Sequence, residues 1–277
     1  MRSLVIASAL IVAGIAPSAA QPSKPGIHLV PHRAVYDLSL LRSQGSRGLD
    51  SARGRIAMDF GGDACDGYTL NYRQVTVLNS NESGARTVDT QTATFEAGDG
   101  LTMRFKTTST SGSAGASGVD GDARLKPDGS LDVRFKQPRN AGFSAAGQPV
   151  FPTEHLKRVI EAARQGQTTV AVKVYDGSDD GKKIYDTLGV IGRRIEAGTG
   201  GNLDEASRQA DLQNIARWPV TISYFTDGSA DRTPAYTVSF ELYENGVSRA
   251  LRLDYGDFVL KGDLQALQIQ PSTACQR

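Results

Sequence analysis

Cysteine, histidine and tryptophan are scarce in this 277-residue chain, which holds two, three and one of them. The histidines His28, His32 and His155 stand in no H-E-x-x-H or comparable metal-ligand spacing, so no metal site is predicted and no cofactor is implied. Cys65 and Cys275 form no C-x-x-C pair and have no histidine cluster beside them, which argues against a dithiol redox centre and against a zinc site. An excess of one charge is also missing: 31 Lys and Arg face 30 Asp and Glu, too even a balance for a nucleic-acid binder. There is no G-x-S-x-G elbow and no evident acyl-transfer triad. After the first twenty residues no apolar run approaches the roughly 18 residues of a membrane-spanning helix, so no span is expected once that leader is gone.

The leader itself is well marked. Residues 1–20 carry one cation, Arg2, then an apolar run from Leu4 to Ile15, and end in Ser18-Ala19-Ala20, a small-x-small peptidase site. Cleavage there starts the mature protein near Gln21 and removes one basic residue, which leaves thirty of each sign. No cysteine follows the site, so no lipid anchor is indicated, and the expected location is the periplasm. Export to an oxidising compartment makes a disulfide the expected fate of Cys65 and Cys275, with no odd thiol left over. Closing a loop of 210 positions would remove denatured-state entropy worth about 5 kcal/mol.

Period-two alternation dominates the mature chain and places successive side chains on opposite faces of a sheet. It is clearest at Ile56, Met58 and Phe60; at Leu131, Val133 and Phe135; and at Tyr236, Val238, Phe240 and Leu242. About a dozen strands follow, joined by short turn signals such as Gly98-Asp99-Gly100, Pro127-Asp128-Gly129 and Asn245-Gly246. Short links between alternating strands predict a mainly β protein, an antiparallel meander with one face apolar and one wet, and the length of the mature chain suits one large β domain or two small ones. The Gly/Ser/Ala-rich stretch Ser109 to Gly118 lacks a pattern and reads as a long loop.

One segment has helical spacing. Leu156, Val159, Ile160 and Ala163 predict an amphipathic helix near residues 153–165, with Thr153 as N-cap, Glu154 in the first turn and Gly166 as stop. Such a helix could plug a barrel mouth or cover a sheet edge. A weaker helical stretch lies near Asp204 to Ile215. His155 sits in the first helical turn, where the helix dipole disfavours a protonated imidazole and favours a neutral hydrogen-bonding role.

The string most like a site is Asp176-Gly177-Ser178-Asp179-Asp180-Gly181. It imitates the start of a calcium loop, but Thr187 stands at the twelfth position, where a bidentate Glu is needed, and the flanks are strands. A hairpin turn between Val170–Tyr175 and Ile184–Ile191 accounts for the same residues. Asp176, Asp179 and Asp180, with Glu154 and His155, form the candidate functional loop.

Several blocks spread along the mature chain carry a family resemblance: His32-Arg33-Ala34-Val35-Tyr36-Asp37, Phe151-Pro152-Thr153-Glu154-His155, Val174-Tyr175-Asp176-Gly177-Ser178-Asp179-Asp180-Gly181, Trp218-Pro219-Val220 and Phe240-Glu241-Leu242-Tyr243-Glu244-Asn245-Gly246-Val247. Through them the sequence resembles the EipB family of periplasmic cell-envelope integrity proteins, whose two cysteines match Cys65 and Cys275. The resemblance implies a large antiparallel curved sheet forming a β-spiral or open barrel, a single domain over residues 21–277 with a helix in its middle, and a role in maintaining a Gram-negative envelope, and it implies no reaction. The expected function is therefore non-catalytic, with a peptide, a lipid moiety or another envelope protein as partner. The alternative is a hydrolase or transferase acting on cell-wall or lipid components through the carboxylates of the candidate loop.

Overall fold

The computed structural model describes residues 26–272 apart from 45–47, 83, 113, 140, 200–202 and 227–232; the expected leader and Cys275 lie outside the described residues. The outward half of the chain contributes β1 (His32–Ser43), β2 (Ser51–Asp63), β3 (Gly67–Ser80), β4 (Gly84–Glu96), β5 (Thr102–Ser111), β6 (Ala114–Leu125), β7 (Leu131–Gln137) and β8 (Gly142–Ala145). After helix α1 (Pro152–Arg164), the return half contributes β9 (Thr169–Val174), β10 (Tyr185–Ile191), the short helix α2 (Ala210–Gln213), β11 (Arg217–Thr226), β12 (Tyr236–Tyr243), β13 (Ser248–Asp254) and β14 (Phe258–Ile269).

The strands join into one 14-stranded antiparallel sheet, ordered β8-β7-β6-β5-β4-β3-β2-β1-β14-β13-β12-β11-β10-β9. Eight strands meander outward from β1, α1 carries the chain across, and six return until β14 pairs with β1. Alternating burial along β1, β7 and β10 shows one face turned inward and one outward, as the period-two pattern requires. The sheet does not close. Among the described residues its two ends are joined in the backbone by a parallel bridge between Val150 and Val174, where the Val150 N–H donates to Lys173 O at 2.8 Å and the Tyr175 N–H to Val150 O at 3.0 Å.

The apolar stripe of α1 enters this curve. Val159, Ile160 and Ala163 are buried, with Leu156 beside them, against Phe60, Trp218, Val220 and Leu242 from both halves of the sheet. The end of the helix follows the expectation: Gly166 adopts φ +71° while its N–H and that of Gln167 return to the carbonyls of Ala163 and Ala162. The start differs. The N-cap is Phe151, with Pro152 at the first helical position, and Thr153 lies inside the helix instead of capping it. Its backbone N–H and its hydroxyl instead donate to the buried carboxylate of Glu96 at the end of β4, at 3.0 and 2.9 Å.

Two further sequence expectations are corrected. The described part of residues 109–118 is not a long loop, for β5 and β6 pair there with Ser109 opposite Ser117 and Ser111 opposite Ala114. The flanking strands impose the ladder on residues that carry no hydrophobic pattern. The stretch from Asp204 to Ile215 breaks into a single 3-10 turn, Glu205–Ser207, and the one-turn α2. It lies over the outer face of β12 and β13, where Leu212 packs on Tyr243 and Val247. Buried Arg217 and Arg249 both donate to Glu241 at 2.6 Å, and Arg249 also reaches Asp204 at 3.1 Å. Burial pushes the Glu241 carboxyl upward, but the two guanidiniums outweigh it and hold it below the usual range.

Candidate functional site

The inner face is not uniformly apolar, and its polar part marks the site. Along β4 the inward positions include Val88, Thr90 and Thr92, and along β5 Thr107 and Ser109. These hydroxyls pair across the strands, Thr90 with Ser109 at 3.1 Å and Thr92 with Thr107 at 3.2 Å. A single sheet face packed only as core would be apolar. Here it borders a cavity of about 880 Å³, completed by Tyr72, Gln74 and Thr76 of β3, by Tyr255 and Phe258 at the β13–β14 turn, and by Ser178, Asp179, Asp180 and Lys182. That volume lies within the range of ligand sites, roughly 300–1,000 Å³.

The loop holding the last four residues is more than the tight turn expected between β9 and β10. Those strands do pair antiparallel, with Val174 opposite Tyr185, but residues 175–184 form a connection that folds inward. Gly177 and Gly181, at φ +68° and +72°, are buried against side chains of the other half; a Cβ on Gly177 would stand 2.6 Å from the Phe105 ring, and one on Gly181 2.6 Å from Phe135. Buried Tyr175 donates its hydroxyl to Gly181 O at 2.8 Å and sets its ring edge-on to Phe105. Glycine is required twice because the backbone both adopts left-handed angles and touches aromatic rings.

The carboxylates of this loop have separate tasks. Asp176 accepts the Ser178 N–H at 2.9 Å, and burial pushes its carboxyl above the usual range. Asp179 accepts from Lys183 at 2.7 Å and from the Tyr185 hydroxyl at 2.9 Å. Burial opposes its ionisation, but these two donors prevail and its value falls below the usual range. Asp180 is exposed and accepts the Lys182 N–H at 3.0 Å. Tyr185 in turn lies edge-on to Tyr224 and Tyr236, themselves stacked at 4.4 Å, and burial together with Asp176 raises all three phenols.

Glu154 and His155 do not join this group. Glu154 pairs along the helix with Arg158 at 2.9 Å. His155 is buried, and desolvation, then Arg158, pushes its imidazole down to about 4, so it is neutral near pH 7. The Thr187 hydroxyl spends its proton on Val172 O at 2.7 Å, so the 3.4 Å contact with His155 Nε2 needs that nitrogen as donor. Thr187, the twelfth residue of the calcium-like string, is thus engaged on the inner face of β10. His28 is exposed near Ser272, while His32 is buried at the start of β1 with its Nδ1 2.8 Å from Val30 O. Among the described residues no cluster of three or more His, Cys, Asp or Glu is placed to hold a metal ion.

Sequence reasoning missed Glu96 and the hydroxyl wall. Burial raises Glu96 to about 7 despite the donors on Thr153. A signal for the wall was present, since threonines at 90, 92 and 94 repeat with period two; they mark an inner polar face only once the sheet is known to enclose a space.

The open spiral, the helix within it and the loop reaching across its seam can now be set beside known proteins. The EipB-like family profile matches residues 23–271. The chain belongs to the EipB-like family. It is 36% identical, over 95% of its length and 91% of the relative's, to the cell envelope integrity protein EipB of Brucella abortus (strain 2308). A solved structure from Brucella abortus, described as a β-barrel-like protein of a domain of unknown function, covers 89% of this EipB-like chain with all of its own length, at 35% identity and a TM-score of 0.81. No helix among the described residues is long and apolar enough to cross a membrane.

Proposed function

We propose that this EipB-like protein supports cell-envelope integrity as a non-catalytic binding module of the periplasm, and that its cavity holds the bound group. The observation that carries the reading is the cavity of about 880 Å³ inside the sheet, bounded by strands on one side and by the Asp176–Gly181 loop on the other. Membership in the EipB-like family, with a relative named for envelope integrity, supports the cellular role. The leader supports the location. A Cys65–Cys275 disulfide belongs to the same reading: Cys65 is exposed in the turn between β2 and β3, where its N–H is held by Asp63 at 2.7 Å, within reach of an oxidising solvent.

The carboxylates favour binding over hydrolysis for a geometric reason. Asp176 is turned onto the Ser178 N–H and does not line the cavity, Asp179 is engaged by Lys183 and Tyr185, Asp180 is exposed, and the contacts of Glu154 and His155 run to Arg158 and Thr187, so they do not form an acid and base facing one space. The test is complementation of a deletion strain under envelope stress. Ser109→Trp, at a half-buried position of the lining, projects into the cavity, and Ser117→Trp fills its rim. Both should keep a parental melting curve yet fail to complement, whereas Lys106→Trp, on the outward face of the same strand, should complement. Full complementation by both filled variants would contradict the proposal.

A further inference from the structure

The chemistry of the cavity narrows its occupant. One part of the lining is hydroxyl: Thr90, Thr92, Thr107 and Ser109. In each pair across the strands one hydroxyl donates to the other, which leaves one proton and several lone pairs per pair facing the space. The same wall can therefore donate and accept. Another part is apolar: Tyr72, and Tyr255 with its ring 5.1 Å from that of Phe258, beside the aliphatic Leu78, Val88, Val119 and Leu260. Charge is confined to the rim, where Arg86 and Lys182 stand with Asp179 and Asp180, cations and anions in equal number.

Each class of ligand meets this lining differently. An acyl chain would find contacts on Leu78, Val88 and Leu260, but it would cover the hydroxyls and leave their remaining protons and lone pairs without partners, at a cost. A phosphorylated or otherwise strongly anionic group would find no cation beside the paired hydroxyls, and at the rim it would meet Arg86 and Lys182 offset by two carboxylates, so the site offers it no net positive charge. An extended peptide needs a free strand edge for its N–H and C=O groups, and this wall presents side chains from paired strands. A pyranose ring has an apolar C–H face for aromatic rings and a rim of hydroxyls that both donate and accept. We propose that the cavity is a binding site for a neutral oligosaccharide, seated with sugar C–H faces on Tyr72 and Tyr255 and sugar hydroxyls on the Thr90–Ser109 and Thr92–Thr107 pairs. This inference rests on the binding-module reading above and names its ligand class.

The experiment titrates the oxidised, leader-free protein with β-1,4-linked N-acetylglucosamine trimer and, separately, with maltotriose, following backbone amide resonances by NMR. Saturable shifts confined to β3, β4, β5 and the β13–β14 turn, with a Kd of about 1 mM or tighter for at least one sugar, are expected. Tyr255→Leu should weaken binding about tenfold, and so should Thr92→Val combined with Thr107→Val, which keeps side-chain shape if one variant is poorly folded. Lauric acid and a neutral hexapeptide are titrated in parallel. If either probe shifts the cavity resonances and neither sugar does, the saccharide assignment is overturned while the binding reading stands. If none of the four probes shifts them, the saccharide assignment is again overturned, and failure of the binding reading is then read separately from complementation by the cavity-filled variants.

Discussion

Glu96 is the residue whose chemistry reaches furthest into the fold. Its carboxylate accepts two donors from Thr153 at the start of α1 while lying buried, and burial moves it from 4.5 to about 7. The folded protein thus holds a proton that the unfolded chain releases at lower pH. Its contribution to stability is complete below about pH 4.5 and is lost as pH rises through about 7, a change of about 3 kcal/mol. His155 runs the other way: its folded value near 4 lies below its ordinary 6.5, so its contribution is lost as pH falls through that window. Glu96→Gln separates the two. The melting temperature of the parent should fall between about pH 6 and pH 8, that of the variant should stay flatter, and at the upper pH the variant should match or exceed the parent. Equal slopes for the two proteins would refute this role for Glu96. For Asp179 and Asp180 the expectation is modest: replacing both with Asn should cost less than about 1 kcal/mol by denaturant titration, since both are exposed and their pairs are screened.

At the scale of elements, α1 and the inward loop join the two halves of the sheet. Ile160 is fully buried among Trp218, Val220 and other core residues. Ile160→Asp would bury an unpaired charge, so a loss of about 3–5 kcal/mol is expected by urea unfolding; a melting point within a degree of the parent would place α1 at the periphery. Gly181→Ala combines a left-handed backbone with a clash against Phe135 and Val119, and should cost about 2–4 kcal/mol by the same measurement. These elements were unequally legible in the sequence. The stripe from Leu156 to Ala163 and the stop at Gly166 announced α1 because both signals are local. The contact of its first turn with Glu96 could not be foreseen, because 57 positions separate Glu96 from Thr153 in sequence. The aspartates at 176, 179 and 180 read as a plain turn because Phe105 and Phe135, which make the loop buried, come from strands far away in sequence. Residues 109–118 looked unstructured because pairing partners, not their own pattern, hold them in the sheet.

For the whole molecule, the return of β14 to β1 brings the ends of the meander to the middle of the sheet, and alternation along the strands was enough to foresee a large curved antiparallel sheet. It could not say whether the sheet closed, because that depends on how the segments beside β8 and β9 meet, here at the bridge of Val150 with Val174. The expected Cys65–Cys275 bridge would tie the chain's end to the β2–β3 turn. Reduction should lower the melting temperature by releasing a loop whose closure is worth about 5 kcal/mol; two free thiols in denatured, unreduced protein would show that the bridge is not formed. The central claim is that the space inside the spiral is a binding site in the cell, and native mass spectrometry of protein taken from its own periplasm tests it most directly. The account predicts a population heavier than the bare mature chain, carrying a mass that Ser109→Trp abolishes. A mass unchanged between the two proteins, apart from the substitution, would contradict it.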